Sequence, residues 1–172
     1  MKVIEGTIEE FQDVFQRQNI HLELLNKEDY DVERMVELFK KMDSKYLFPT
    51  DNEENLRVYL TKLIRHAYNF VLTSQNNDDI AIISIYANDF KTKTSYSSAI
   101  GILPTFRGGN IATNMVKFAL KFAKEKGMDY YKAEISKKNA SWLRFLERNG
   151  FRIKDETENH SYIVIKDLRN DE

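Results

Sequence analysis

The chain has 172 residues, the length of one compact domain, and can bury about 70% of its unfolded surface. Its 26 Lys and Arg residues balance 27 Asp and Glu residues, so no overall charge draws it to nucleic acid or to an anionic membrane. The absence of cysteine excludes disulfides, cysteine-ligated zinc and thiolate nucleophiles. No apolar run approaches the roughly 20 residues of a membrane-spanning helix, and no signal peptide is visible at the N-terminus, so we expect a cytoplasmic protein.

The N-terminal part of the chain is predicted to form a helix and then a strand. Thr7 and Glu10 make an S/T-x-x-E capping box ahead of apolar residues at helical spacing, which predicts a short helix that starts at Thr7. Residues 20–25 have the character of a strand, and helical spacing of apolar residues returns over 32–42. We therefore expect the order helix, strand, helix.

A further helix and three strands are predicted next. The helix has an apolar stripe over 56–64, with Thr50 or Asp51 as its N-cap. Runs of β-branched and aromatic residues then occur at 68–73, 80–86 and 94–103, separated by polar loops of hairpin length. These three strands are expected to form an antiparallel meander.

The pattern changes after Pro104, where a helix over 111–122 is predicted, followed by a strand at 130–136. A right-handed crossover makes this strand parallel to the one before the helix. A short helix over 139–148 with Gly150 as its C-cap and a hairpin of 151–154 with 162–166 complete the chain.

The segment 101–112 carries the most informative signal. A strand ends there, Gly108 and Gly109 followed by Asn110 allow left-handed backbone conformations, and a helix begins. N–H groups at such a helix start converge on an anion, and the guanidinium of Arg107 can bind a phosphate in a bidentate manner. The segment therefore predicts a pyrophosphate site. An isolated Gly-Gly turn is more often a plain strand-to-helix turn, so the surrounding sequence has to decide.

Two segments together resemble the signatures of a known family. Residues 107–112 resemble the Arg/Gln-x-x-Gly-x-Gly/Ala pyrophosphate loop of the GNAT superfamily of acyl-CoA-dependent N-acetyltransferases. Residues 134–139 and 145–151 resemble the second signature of that family, which is a strand, an Asn, a short helix and a closing Gly-Phe. The resemblance is tight over 96–151, and the order of elements over 20–166 fits the family fold.

The resemblance implies an α/β (α+β) fold with a mixed, mostly antiparallel central sheet, one parallel strand pair, helices on both faces and an extra N-terminal helix. It implies an N-acetyltransferase domain over 20–168, preceded by a helical extension over 1–19. The co-substrate would be acetyl-CoA and the partner a small-molecule amine, with no nucleic acid and no membrane, while a homodimer stays open. The three histidines lie far apart in the sequence without ligand spacing, so no metal is expected.

The resemblance also assigns the cofactor site. The backbone of the strand that ends at Ile102 would pair with pantetheine, and the Ile102 amide would polarise the thioester carbonyl. Asn139 would contact the cofactor where the parallel strands separate, although a helix N-cap explains its position equally. The implied cofactor-binding residues are Gly101, Ile102, Arg107, Gly108, Gly109, Asn110, Ile111, Ala112 and Asn139.

Acyl transfer requires a neutral amine, and deprotonating an ammonium with a pKa of about 8 to 10.4 costs roughly 1 to 5 kcal/mol at pH 7. Glu134 matches the strand glutamate implicated as the base, through water, in the ribosomal-protein alanine acetyltransferase branch; a solvent-facing carboxylate is an equal reading. The usual general-acid tyrosine is replaced by Leu146, which cannot donate a proton. Tyr96, Tyr131 and Tyr162 are the remaining acid candidates, though each is more often a packing aromatic.

These residues predict an enzyme that moves acetyl from acetyl-CoA to a primary amine by direct attack, since no cysteine or motif-borne serine offers a covalent relay. The first expectation for the acceptor is an amino sugar or another small metabolite, and the second is a protein amine, with residues 86–89 shaping its pocket. Asn110 stands where the family's loop usually has glycine. Together with Leu146 it keeps an alternative open, a CoA-binding module with weak or lost catalysis that acts as a sensor or interaction protein. A domain that binds no CoA is a third class.

Overall fold

The computed structural model describes residues 2–28, 31–42 and 52–170. Among these residues, the helices are α1 (Lys2–Gln16), α2 (Val32–Lys41), α3 (Glu53–His66), α4 (Ile111–Glu125) and α5 (Ala140–Arg148). The strands are β1 (Ile20–Leu24), β2 (Tyr68–Ser74), β3 (Asp79–Asp89), β4 (Thr94–Ile102), β5 (Tyr130–Ser136), β6 (Arg152–Glu156) and β7 (Ser161–Asp167).

The seven strands form one sheet in the order β1-β2-β3-β4-β5-β7-β6. The β4–β5 pair is parallel and the other neighbours are antiparallel. β2, β3 and β4 form the expected meander, and α4 is the crossover that makes β4 and β5 parallel. The predicted mixed α/β fold is confirmed.

Helices cover both faces of the sheet. On one face, Phe118 and Phe122 of α4 meet Phe70 of β2, and Phe11 of α1 packs on Phe118. The ring centroids of Phe70 and Phe118 are 4.7 Å apart in an edge-to-face contact. On the other face, α2 and α3 form a second cluster against Val71 and Ile82 of the central strands. The N-terminal helix α1 therefore shares the core of the sheet domain, while the predicted boundary at residue 20 stays a prediction.

The start of α1 differs from the prediction. The helix begins at Lys2, so Thr7 lies inside it and is not the N-cap. Thr7 is only 1% exposed, and its hydroxyl has no hydrogen-bond partner among the described residues. The apolar period explains the difference, because Ile4 lies four residues before Ile8 and extends the stripe towards the N-terminus.

Two other helix ends differ from the prediction by one or two residues. The N-cap of α3 is Asn52, whose side chain accepts a hydrogen bond of 2.7 Å from the backbone N–H of Asn55. Thr50 and Asp51, the residues expected there, lie outside the described residues. The C-cap of α5 is Asn149, and Gly150 follows it in the left-handed conformation with φ of +89°.

Replacing Gly150 or Gly6 by alanine is expected to change the stability of the fold in opposite directions. Gly150→Ala is expected to destabilise the fold by about 1 to 2 kcal/mol, because its φ is positive and a Cβ would lie 3.1 Å from the Lys166 amine. Gly6→Ala is expected to stabilise it by about 0.5 to 1 kcal/mol, since Gly6 lies within α1 and a Cβ there meets nothing within 4 Å. Urea unfolding checks both; equal effects would contradict the assignment of Gly150 as the left-handed residue.

None of the helices in the part of the chain that the structure describes is long and apolar enough to cross a membrane.

Candidate active site

β4 and β5 separate from each other halfway along their length. Their parallel register runs from Thr94 opposite Tyr130 to Ser97 opposite Ala133, and no pair of the two strands follows it. Beyond that point β4 continues to Ile102 in register with β3, and β5 continues in register with β7. The β5-facing backbone edge of residues 98–102 therefore has no strand partner, and a wedge-shaped opening lies between the two strands.

A β-bulge at Ser98 lies at the start of this opening. Ser84 and Ile85 are consecutive in β3, but their partners in β4, Ala99 and Ser97, are two residues apart. The extra residue, Ser98, is held from α3, since the hydroxyl of Tyr59 donates to its carbonyl oxygen at 3.1 Å and lies 2.8 Å from its Oγ. A bulge bends a strand and ends regular pairing, which explains why β4 leaves β5 here.

Sequence reasoning missed both the bulge and Tyr59. The only available signal was the run of small polar residues at 95, 97 and 98 in a strand of otherwise apolar character. Burial raises the pKa of Tyr59 to about 12, so its hydroxyl stays protonated at neutral pH and remains a donor.

The loop after β4 leads directly into α4. A single 3-10 turn, Pro104–Phe106, follows the strand, and Gly108 has a φ of +91°. Asn110 has a φ of −81° and is the N-cap of α4, so the expectation that it adopts the left-handed conformation is wrong. The left-handed residue of this turn is Gly108, so asparagine at position 110 carries no backbone strain.

The N-terminus of α4 is suited to an anion. The Asn110 side chain does not cap the helix, so the first N–H groups of α4 lack that partner. A Cβ built on Gly109 would meet no atom within 4 Å, although its φ is not in the left-handed region. Among the described residues, neither packing nor backbone conformation therefore requires glycine at position 109, and the missing side chain would allow a ligand to approach the backbone closely.

Arg107 anchors the loop to the end of β4. Its Nε donates to the carbonyl oxygen of Ile102 at 3.0 Å. This bond changes how Arg107 could bind a phosphate. Since Nε is already engaged, the phosphate would accept from the two Nη nitrogens. The same bond holds the guanidinium at the end of β4, in the loop that leads to the N-terminus of α4.

Tyr96 and Glu134 lie together on one face of the sheet. It is the same face on which α2 and α3 pack, closer to β2 and β3. Tyr96 is one residue before the last β4–β5 pair and Glu134 is one residue after it. Burial first, and then the charge of Glu134 and a hydrogen bond with it, raise the pKa of Tyr96 to about 12. The Ser161 hydroxyl, which is buried in β7, donates to Glu134 Oε1. Two hydroxyl groups therefore orient the carboxylate at the opening.

Tyr86 completes this group. It is the direct cross-strand partner of Tyr96, so the two side chains lie on the same face. After burial, Tyr86 and Tyr96 also contribute to the raised pKa of Tyr59, so the three phenols are neighbours. Burial raises the pKa of Tyr86 as well, which keeps it protonated at neutral pH. We call Tyr59, Tyr86 and Tyr96 the tyrosine cluster. The expectation that residues 86–89 shape the acceptor pocket stays a prediction.

Tyr131 points to the opposite face and does not lie beside Glu134. It is 4% exposed, packs edge-to-face on Phe151 and lines a small apolar cavity of about 20 Å³ together with Ser97 and Leu146. Burial raises its pKa, so the phenol stays protonated. The three catalytic candidates are thus divided between the two faces of the sheet, two at the opening and one in the core.

Asn139 immediately precedes α5, and Leu146 lies within it. Asn139 is the N-cap of α5 by position, but its side chain makes no capping hydrogen bond. Leu146 is buried at the cavity that Tyr131 also lines. Tyr162, the other acid candidate, is half-buried on the α5 side of β7, with the Lys137 amine 4.9 Å from its ring centroid. The amide of Asn139 is therefore not used for capping.

The three histidines are exposed and lie apart. Among the described residues, no group of three or more His, Cys, Asp and Glu side chains is placed to hold a metal ion.

A mixed sheet in which two parallel strands separate beside the N-terminus of the crossover helix defines the architecture of an acyl-CoA-dependent acyltransferase. The model of the acetyltransferase (GNAT) domain family matches residues 20–152. The chain therefore belongs to this family and is an acetyltransferase, as the sequence motifs indicated. No curated protein sequence matches the chain significantly.

Solved structures of similar fold carry related names. The chain is similar to the PaiA N-acetyltransferase of Thermoplasma acidophilum in complex with coenzyme A, with 16% identity and a TM-score of 0.66, over 86% of this chain and 98% of that one. It is similar to a putative phosphinothricin N-acetyltransferase, with 20% identity and a TM-score of 0.70, over 88% and 99%. A GNAT family acetyltransferase of Elizabethkingia anophelis with acetyl-CoA bound has 16% identity and a TM-score of 0.65, over 87% and 98%. These likenesses concern the fold.

Proposed function

We propose that the protein transfers an acetyl group from acetyl-CoA to a primary amine that binds beside Tyr96 and Glu134. The observation that carries this proposal is the opening between β4 and β5, which ends at the N-terminus of α4. A linear ligand that lies along β4 would reach the loop with its diphosphate. The solved structures named above, which contain coenzyme A and acetyl-CoA, support the choice of co-substrate.

The residues present fit this co-substrate. The N–H groups of residues 108–112 and the Nη nitrogens of Arg107 would bind the diphosphate, and the unpaired edge of 98–102 would hydrogen-bond the pantetheine amides. Gly101 and Ile102 lie on that edge, and Asn139 lies at the start of α5, where its side chain makes no capping hydrogen bond. When bound, acetyl-CoA supplies a thioester whose carbonyl carbon accepts the nucleophile.

The carboxylate of Glu134 is the base in this proposal. An amine arrives as its ammonium, which the carboxylate attracts and from which it accepts a proton, directly or through a water molecule. The lone pair of nitrogen then forms the bond to the acetyl carbon while the carbon–sulfur bond breaks. The nitrogen loses its second proton to water, and the sulfur leaves as the thiolate. The Tyr96 and Ser161 hydroxyls hold the carboxylate in place while it accepts the proton. Most of the rate enhancement would come from positioning.

The leaving group needs little help. A thiol has a pKa of about 8.5, so the thiolate is a stable leaving group near neutral pH even though Leu146 cannot protonate it. Tyr96 lies at the opening with a protonated hydroxyl, which makes it the better placed acid of the three candidates, whereas Tyr131 would act only from within the apolar cavity. The acceptor we favour is a small-molecule amine such as an amino sugar, ahead of a protein amine.

Leu146 favours a second candidate function. The side chain is buried against the cavity and offers no proton donor. A chain with this substitution could retain CoA binding and lose turnover, and would then act as a sensor or an interaction module. Steady-state assays with a broad panel of amines separate the two functions.

Thermal unfolding tests whether the co-substrate binds. Acetyl-CoA at about 100 times its Kd is expected to stabilise the fold by roughly 2.7 kcal/mol, which raises Tm by roughly 5 to 10 °C for a chain of this size. Acetyl-pantetheine, which lacks the diphosphate, is expected to give a much smaller shift at the same concentration. An unchanged Tm at millimolar acetyl-CoA would overturn the proposal.

A further inference from the structure

Two lysines lie beside the proposed amine site. Lys132 precedes Glu134 by two residues in β5, so both side chains project from the same face, with Cα atoms about 6.6 Å apart. Lys132 is also the register partner of Tyr96. The nearby amine of Lys154, and then burial, lower the pKa of Lys132, which indicates that the two amines are neighbours.

The topology of the sheet explains why the two lysines meet. Lys132 lies opposite Ile165 of β7, and Arg152 of β6 lies opposite the same residue on the other side. The β6–β7 register shifts between Ile153 and Asp155, which makes Lys154 the extra residue of a bulge. The bulge lets Lys154 reach across β7 towards Lys132. Sequence spacing cannot show this contact.

The charges of this lysine pair are not neutralised by an ion pair among the described residues. Asp89 acts on Lys132 from a distance, but its carboxylate accepts hydrogen bonds from the hydroxyl of Thr92 at 2.6 Å and from the N–H of Thr92 at 3.1 Å. Lysines elsewhere do form ion pairs, as Lys137 does with Glu156 at 2.7 Å. Two like charges in contact repel each other, and an anion between them removes that repulsion.

We propose that the acceptor is an amine that also carries an anionic group, a carboxylate or a phosphate, and that Lys132 and Lys154 bind this group while Glu134 and Tyr96 receive the amine. This inference rests on the proposed function, because it names the substrate class of the same site. The anionic group takes no part in bond making: the nitrogen–carbon bond still forms as the carbon–sulfur bond breaks, and the ammonium proton passes to Glu134.

The same charges discriminate against other amines. The second ammonium of a diamine would lie near Lys132 and Lys154 and be repelled. An uncharged amino sugar would gain nothing from the pair. The expected order of kcat/KM is therefore anionic amine first, neutral amine second and diamine last.

The test compares amines of equal length that differ in the group at the far end. We would measure kcat/KM for 4-aminobutyrate, butylamine and 1,4-diaminobutane, and separately for glucosamine 6-phosphate and glucosamine. The anionic member is expected to exceed the neutral one by about tenfold at low salt, the effect of two favourable charge contacts. The ratio is expected to fall as ionic strength rises. The carboxylate and phosphate arms distinguish the two sources of anion.

Variants connect the preference to the lysines. Lys132→Ala and Lys154→Ala are each expected to reduce the anionic-to-neutral ratio about threefold, and Lys154→Arg to retain it. The control is Arg17→Ala, which removes an exposed positive charge at the end of α1 and should leave the ratio unchanged. Melting curves of all variants confirm folding.

Three results would overturn the inference: equal kcat/KM for anionic and neutral amines, faster acetylation of the diamine, or an unchanged ratio in Lys132→Ala and Lys154→Ala. The proposed function stands in each of these cases, since some amine is acetylated. If no amine is acetylated, a thermal shift by 4-aminobutyrate or glucosamine 6-phosphate in the presence of coenzyme A still decides whether the lysine pair binds the anion. Absence of that shift overturns the inference as well.

Discussion

Glu134→Gln is expected to lower kcat by at least about a hundredfold while the stabilisation by acetyl-CoA persists. A positioned general base contributes about 10² to 10⁴ to the rate, and the amide of glutamine cannot accept the proton of an ammonium. The variant keeps the size of the side chain and can still accept a hydrogen bond from Ser161, so the sheet around the opening should be preserved. Steady-state kinetics at saturating acetyl-CoA, together with melting curves with and without it, measure both effects.

The matched control is Glu156→Gln. Glu156 is an exposed carboxylate of β6 that pairs with Lys137 at 2.7 Å, and its removal should change kcat by less than about twofold, as for an ordinary surface charge. If Glu134→Gln also keeps kcat within about threefold of the parent, Glu134 is not the base and the amine must lose its proton to water or to another group.

Gly109→Val is expected to weaken acetyl-CoA binding at least about tenfold without loss of stability. A Cβ at position 109 would meet no atom of the described residues within 4 Å and the backbone is not left-handed, so the fold is expected to tolerate a side chain there. A diphosphate held by the N–H groups of the loop would collide with the valine methyl groups. Isothermal titration calorimetry with acetyl-CoA gives the Kd, and thermal melting of the free protein gives the stability.

Gly6→Val is the matched control, because Gly6 also has open space around its Cα but lies on α1, far along the chain from the loop. Its Kd for acetyl-CoA should equal that of the parent. An unchanged Kd in Gly109→Val would show that the loop does not bind the diphosphate, and the proposed site would then have to lie elsewhere on the molecule.

Local patterns in the sequence predicted most of the fold. The meander of β2, β3 and β4 follows from alternating β-formers and hairpin-length loops, and the crossover through α4 makes β4 and β5 parallel by handedness alone. The loop at 107–112 was visible because glycines, an arginine and a helix start are adjacent in the sequence. Such features depend on neighbours within a few residues.

Other features depend on which strands become neighbours and in which register, and those contacts join residues far apart in the chain. The bulge at Ser98, its hydrogen bond with Tyr59 and the meeting of Lys132 with Lys154 across β7 belong to this group. Asn110 shows the same limit on a smaller scale. Asparagine tolerates the left-handed conformation, but in the structure Gly108 adopts that conformation and Asn110 does not.

The division of the tyrosines has the same origin. Alternation along β4 and β5 places Tyr96 and Tyr131 on opposite faces, but only the completed sheet decides which face lies over the core and which lies at the opening. The sequence by itself determined the fold class, the family and the loop at 107–112, because these depend on the local order of residues. The tertiary structure decided which side chains surround Glu134, because strand pairing, and not sequence distance, brings them together.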